Sequence, residues 1–373
     1  MAFTLSGVSG ITGLNLTTTH PPPPPVYLWS WGANGQGQLG LGNTTNISSP
    51  VQVGALATWS TIDAGWRFPL AVKTDGTMWS WGYNAYGQLG LGNTTDRSSP
   101  VQVGADTNWS TTAAGMHHSL AIKTDGTLWS WGRNGYGRLG LGNTTDRSSP
   151  VQVGALTNWL SIAAGTYHNL TIKTDGTMWS WGYNGQGGLG LGNTTHRSSP
   201  VQIGALTPWS QVFVGPLRSL ALKTDGTVWS WGWNYAGALG LGNTTAVSSP
   251  VQIGALTTWL NITGGQYHNL AIKTDGTMWS WGHNGAGQLG LGDTTWISSP
   301  AQVGAGTTWS KIKAGEYHNL AIKTDGTLWS WGYGLVGQLG LGDTTNRSSP
   351  VQVGSLTNWS TISGDGNYSV AIG

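Results

Sequence analysis

The sequence predicts an all-β fold: a seven-bladed β-propeller with four antiparallel strands per blade. Three observations carry this. The chain repeats with a period of 50 residues and no insertion. Trp-Ser-Trp-Gly begins at 29, 79, 129, 179, 229, 279 and 329, and Ser-Ser-Pro ends at 50, 100, 150, 200, 250, 300 and 350. A hairpin signal, Lys-Thr-Asp-Gly-Thr, starts at 73, 123, 173, 223, 273 and 323 between runs of alternating apolar residues. The unbroken period fills residues 24–373, and units with no core of their own must stack into one body.

Residues 1–25 stand outside the period. The first 16 are mildly apolar, with no positive n-region and no small-residue cleavage site, so they do not read as a signal peptide. The prolines at 21–25 form a polyproline II spacer of about 15 Å, at roughly 3.1 Å per residue. The segment is expected to anchor or assemble the protein by docking Phe3, Leu5, Val8, Ile11, Leu14 and Leu16 onto a neighbour. Residues 26–373 form a single propeller domain.

Within each repeat the pattern places four strands, in the second copy at about 98–103, 109–114, 117–123 and 127–132. Connections are short except for the Gly-rich segment 133–147, and no helix is supported. Asp75-Gly76 reads as a two-residue type I′ turn, which needs positive φ at both positions. That turn places Val72 opposite Trp79, Leu70 opposite Trp81 and Phe68 opposite Tyr83. Leu70, Val72, Trp79 and Trp81 then share one face, and Ala71, Lys73, Met78 and Ser80 the other. The last strand, within 367–373, stops where a seventh Lys-Thr-Asp-Gly hairpin would begin. Its partner lies at the other end of the chain, at 27–32. The same register sets Val370 opposite Trp31 and Ile372 opposite Trp29, closing the ring and leaving no blade edge open.

Composition excludes several function classes. Charged residues make up only 8% of the chain, the net charge is +2 and no Lys or Arg precedes Arg67, so no basic stripe for nucleic acid exists. The absence of Cys excludes disulfides and thiolate metal sites. No run approaches the roughly 20 apolar residues of a membrane span. Glu316 is the only Glu, and most Asp residues sit in Asp-Gly turns. No pair of carboxyls with opposed pKa values is in view, so neither catalysis nor a cofactor is expected.

Recurrent motifs read as structural. Gly137-Arg-Leu-Gly-Leu-Gly142 lacks the Lys-Ser/Thr of a P-loop and the spacing of a dinucleotide fingerprint. His118, His168, His268 and His318 share one repeat position, held elsewhere by Phe68, Arg218 and Tyr368. Around a wide ring such residues diverge and have no acidic partners beside them, so packed, hydrogen-bonded histidines are expected rather than metal ligands. The Asn-Thr-Thr triplets at Asn43, Asn93, Asn143, Asn193 and Asn243 fit the N-glycosylation pattern, but a periodic loop explains the recurrence without sugars and is the favoured reading.

Gly165-Thr-Tyr-His-Asn-Leu-Thr-Ile172, followed by Asp-Gly-Thr, Trp-Ser-Trp-Gly and Gly-x-Leu-Gly-Leu-Gly, resembles the repeat of the regulator of chromosome condensation family, and does so in all seven units. The resemblance implies a seven-bladed propeller. The family's best-known activity is nucleotide exchange on the small GTPase Ran, with chromatin attachment through a basic tail, and it uses a wedge inserted in one blade. Uniform 50-residue repeats leave no room for that wedge, and residues 1–25 carry no basic tail. Gly65-Trp-Arg-Phe-Pro69 is similar to the Gly-Trp-Arg-His-Thr motif of the plant ultraviolet-B photoreceptor, but it occurs once, with its last two positions changed.

The copies differ from one another at three places: after Trp-Ser-Trp-Gly, before Ser-Ser-Pro, and before Leu-Ala-Ile-Lys. Strand direction puts all three on one side of the propeller, opposite the invariant Thr-Asp-Gly-Thr turns. Trp66, Arg67, Phe68, Tyr83, Arg133, Tyr183, Trp233, His283, Trp296 and Tyr333 are therefore the candidate binding residues, rigid aromatics among adaptable polar groups. The expected function is a non-enzymatic binding or structural module, a subunit of an extracellular or virion appendage or filament. It would assemble through its N-terminal tail, docking on itself or on an appendage protein, and recognise a glycan or cell-surface protein. The alternative is a cytoplasmic protein-interaction scaffold like other relatives of the family.

Overall fold

The hairpin turn sets the register of every blade. Lys73 N–H donates to the Thr77 carbonyl at 3.0 Å and Gly76 N–H to the Lys73 carbonyl at 2.9 Å. The loop is thus three residues, Thr74-Asp75-Gly76, and of these only Gly76 has positive φ, at +77°. The Asp75 carboxylate accepts from the Thr77 amide at 2.9 Å and the Thr77 hydroxyl at 2.6 Å, which holds the aspartate in a right-handed turn conformation. The result is a type I turn with a glycine bulge rather than the expected type I′ turn. One extra loop residue shifts the pairing by one: Leu70 faces Ser80, Ala71 faces Trp79 and Val72 faces Met78. Leu70, Val72, Met78 and Ser80 therefore share one face, and Ala71, Lys73, Trp79 and Trp81 the other, correcting the expected faces.

The computed structural model describes residues 26–55, 58–205 and 208–373. The assembly segment expected over residues 1–25 lies outside them. The described residues form seven four-stranded antiparallel sheets. In the first blade the strands, from the axis outward, are Trp59–Ala64, Pro69–Lys73, Met78–Gly82 and Arg97–Gln102. The Ser-Ser-Pro strand thus belongs to the blade of the preceding Trp-Ser-Trp-Gly, one strand out of phase with the unit read from the sequence. The Gly-rich segment joins third and fourth strands within a blade. Two short 3₁₀ turns, Gly135–Gly137 and Tyr235–Gly237, interrupt it in the second and fourth blades.

The seventh blade draws two strands from each end of the chain: Thr361–Asp365, Tyr368–Ile372, Leu28–Gly32 and Ile47–Gln52. Closure by pairing of the terminal strands is as expected, again one residue out of the expected register. Leu28 faces Ile372, Trp29 faces Ala371 and Trp31 faces Ser369. Tyr27 N–H donates to the Gly373 carbonyl at 2.9 Å, at the end of the blade where the other blades carry their Asp-Gly turns.

Blades interlock through their differing faces. Leu70, Val72 and Met78 of the first blade pack on Trp109, Ala121 and Trp131 of the second, and the same arrangement recurs around the ring. The second tryptophan of each Trp-Ser-Trp-Gly is fully buried, whereas the first keeps partial exposure. Trp131 Nε1 donates to the Gln88 carbonyl of the preceding blade's Gly-rich strap at 2.8 Å. Ser80 Oγ holds that strap to its own blade through the Leu89 carbonyl at 2.8 Å. The strap must lie against the indole: a Cβ added at Gly90 would fall 2.8 Å from Trp131 Nε1. The glycines of Gly-x-Leu-Gly-Leu-Gly are therefore a docking strip for the next blade.

Candidate functional site

Each innermost strand runs from the turn face toward the varied face, so the residues just beyond it surround the mouth of a central channel. Ala64, Ala114, Ala164, Val214, Gly264 and Ala314 end their strands there. Trp66, Met116, Thr166, Pro216, Gln266 and Glu316 follow, and Tyr167, Leu217, Tyr267 and Trp233 stand around the opening. The cavity they enclose measures about 540 Å³, within the range of a small-molecule or side-chain pocket.

Beyond the mouth, the aromatic residues of the varied face gather into clusters. Trp66, Tyr83 and Tyr86 surround His117 with ring centroids 5.3, 6.0 and 5.0 Å from it. The Arg67 guanidinium lies 3.8 Å from the Trp66 ring and that of Arg133 4.8 Å from Tyr86. Tyr183 contacts Tyr136, Tyr167 and His196 at 5.0, 5.7 and 4.6 Å. The largest cluster joins Trp233, Tyr235, Tyr267, His283 and Trp296, with Tyr235 stacked on Trp233 at 5.3 Å and His283 tilted against Trp296 at 4.5 Å. Tyr333 pairs with Tyr317 at 6.3 Å. Trp296 and Tyr136 are 46% and 48% exposed, so these clusters still offer ring faces to a partner.

Nine of the ten candidate binding residues thus fall on the varied face. Phe68 does not: it is fully buried in the interface between the first and second blades, which corrects its assignment. Its position belongs to the inward-pointing histidines, and alternation along the strand puts it on the buried face of Leu70 and Val72. The histidines are packed and hydrogen-bonded as expected. His118, His168, His268 and His318 are buried, and burial lowers each to about 3, so they stand neutral. Among the described residues no group of His, Cys, Asp or Glu is arranged to hold a metal ion.

Sequence reasoning missed Tyr86, Tyr136, Tyr235, Tyr167, Tyr267 and Tyr317. The first three lie in the Gly-rich segment, read only as a loop. The others sit in the Gly-x-Tyr-His motif, whose variation against Arg67, His117 and Leu217 was the available signal. It also missed the charged side of the channel, where Lys313 Nζ contacts Asp63 Oδ1 at 2.8 Å. Beside them, burial raises Glu316, and burial with the neighbouring Glu316 charge pushes Asp365 up to about 7.

Comparison with known proteins bears on this geometry. Residues 26–215 match the RCC1-like domain, and residues 225–272, 275–322 and 325–372 match the regulator of chromosome condensation (RCC1) repeat. No curated protein matches the chain by sequence. Among solved structures, Prp20p from Saccharomyces cerevisiae is 22% identical with a TM-score of 0.84, covering 94% of this chain and 91% of its own. That structure was described together with its binding to Gsp1p and histones. Human WBSCR16 is 22% identical with a TM-score of 0.84, covering 93% of this chain and 98% of its own. Yeast RCC1 (Prp20) bound to Kap60 is 20% identical with a TM-score of 0.85, covering 100% and 96%. At these identities the likeness speaks to the fold.

Proposed function

The chain belongs to the RCC1 repeat family, and from that premise we propose that it is a non-enzymatic protein-interaction scaffold that binds partners with its varied face. One observation carries the reading. Apart from the innermost strand and the segment leading into it, the copies are nearly identical, and the residues that differ collect around one channel mouth as aromatic clusters flanked by Arg67, Arg133 and Glu316. Large, rigid rings with few rotors are what a protein interface uses as anchors. The opposite face repeats the same Thr-Asp-Gly-Thr turn six times, each closed on itself by its own aspartate. Turns so uniform offer little to distinguish one partner from another.

The solved relatives named with Gsp1p, histones and Kap60 bind proteins, which supports a protein partner here. Nothing supports the expected extracellular or virion appendage, or docking of the tail to an appendage protein. The intracellular scaffold is the better-backed alternative, and the proposal adopts it.

The test compares two variants for binding a partner recovered with the wild-type protein. Tyr183→Ala with Trp233→Ala removes anchors from the varied face. Leu160→Ser with Leu260→Ser alters two leucines exposed on the turn-face side, at 58% and 53%. Loss of binding in the first variant alone supports the proposal. Loss in the second alone moves the site to the turn face, and competition by free oligosaccharide would replace the protein partner with a glycan.

A further inference from the structure

The channel has two unlike walls. Repeat positions 63, 113, 163, 213, 263, 313 and 363 hold Asp63, Ala113, Ala163, Phe213, Thr263, Lys313 and Ser363. The position two further on is glycine in six copies and Asp365 in the seventh, and Glu316 stands one place beyond its own copy's glycine. Every charged residue lining the cavity therefore comes from the sixth, seventh and first blades. The facing wall, from the third and fourth blades, is Ile162, Ala163, Val212 and Phe213.

The charges on the polar wall do not balance. Lys313 is committed to Asp63 Oδ1, and Asp63 Oδ2 accepts the Ala114 amide at 2.8 Å, so that pair is satisfied. Arg67 lies over the Trp66 ring at 3.8 Å. Glu316, which the Trp66 indole and the Arg67 charge partly offset, and Asp365 are left in no salt bridge among the described residues. Asp365 accepts only the amide of its neighbour Gly366, at 2.6 Å. The Tyr368 hydroxyl also has no hydrogen-bond partner, but its side chain is buried between the seventh and first blades and does not line the cavity. Gln266 Oε1, at the mouth, is unpartnered as well. A cavity with two carboxyls in no salt bridge, an unpartnered amide oxygen at its mouth, aromatic rings and one apolar wall fits a cation on a hydrocarbon stem.

We propose that the channel mouth is a binding site for an organic cation, a guanidinium or ammonium group on an alkyl chain. The charge would lie beside Glu316 and Asp365, near the rings of Trp66 and Tyr267, with the stem against the apolar wall. The inference deepens the proposed function and rests on it in one respect: an Arg or Lys side chain of the partner would be the occupant. A free alkylamine carries the same chemistry.

Calorimetric titration of the full chain tests this with n-butylguanidinium, n-butylammonium and, as the uncharged control, n-butanol. A capped Gly-Arg-Gly peptide beside capped Gly-Gln-Gly separates a protein side chain from a free amine. Both cations should bind saturably and butanol should not. Glu316→Gln with Asp365→Asn should weaken them on the order of tenfold, while Asp106→Asn, a carboxylate 55% exposed beside Lys123, should leave them unchanged. If the double variant fails to fold, Glu316→Gln alone gives the same reading. Absence of saturable binding, equal binding by the variant, or equal binding of butanol overturns the site. Should Tyr183→Ala with Trp233→Ala leave partner binding intact, the proposed function falls while the butylguanidinium titration still decides the cation site.

Discussion

His118 Nε2 lies 2.6 Å from Asn169 Oδ1, so a histidine of the second blade is tied to the second strand of the third. His168 meets Ser219 at 2.9 Å, His268 meets Asn319 at 2.8 Å and His318 meets Ser369 at 2.8 Å in the same way. Arg218, at the equivalent position, spans the next interface by donating to the carbonyls of Gly265 and His268 at 3.0 and 2.8 Å. In each link Nε2–H is the donor, so protonating the buried, unpartnered Nδ1 would keep the bond but place a charge in the interface.

Acid should therefore unfold the propeller steeply. Each of the four histidines is lowered from 6.5 to about 3 in the folded chain, chiefly by burial. Between those values the unfolded chain binds more protons, so stability falls as pH drops from about 6.5 toward 3. The slope is at most about 1.4 kcal/mol per pH unit for each histidine. Asp365, raised to about 7, opposes this, since its protonation favours the fold as pH falls from 7 to about 3.8, and Glu316, raised by burial, acts in the same sense. His168→Phe, a ring already used at this position in Phe68, should flatten the profile. Denaturant midpoints measured from pH 4 to 7 check it, and an unchanged slope would mean that this histidine does not titrate with unfolding.

Trp181→Ala should cost roughly 3–5 kcal/mol, the range for emptying a buried aromatic site. Trp181 is fully buried, and the substitution also orphans the Arg138 carbonyl that its Nε1 meets at 2.9 Å. Trp179→Ala should cost less, because that ring keeps partial exposure. Equal loss for the two in urea unfolding would contradict the interlocking described for the straps.

The fold was legible because the 50-residue period is written in residues with one structural job each. Trp181 is buried and Gly140 is where it docks. The register was not legible. Asp-Gly fits both a two-residue and a three-residue loop, and the choice depends on Asp75 accepting from Thr77, a contact the motif does not display. From that single residue followed the placing of Trp79 and Trp81 on the face of Leu70, which they do not share. The varied face was legible from differences between copies. The channel charges were not, since Asp63, Lys313 and Asp365 meet only after blades six, seven and one close the ring.

The turn itself offers a controlled comparison. Gly126 and Gly154 both have positive φ, at +79° and +62°. A Cβ at Gly126 would collide with the Thr157 carbonyl, whereas one at Gly154 would meet nothing within 4 Å. Gly154→Ala should lose about 1–2 kcal/mol from backbone conformation alone, and Gly126→Ala more. Thermal midpoints of the two variants read the difference, and a larger loss at Gly154 would reject the loop geometry.

The central claim is that the face carrying the differences between copies is the face that binds. Site-specific photo-crosslinking in the native cell tests it most directly, with p-benzoylphenylalanine placed at Tyr183 or Trp233 on the varied face and at Thr124 or Thr174 on the turn face. The expected result is crosslinked partner from Tyr183 and Trp233 and none from Thr124 and Thr174. Partner captured from the turn-face positions alone would contradict the account.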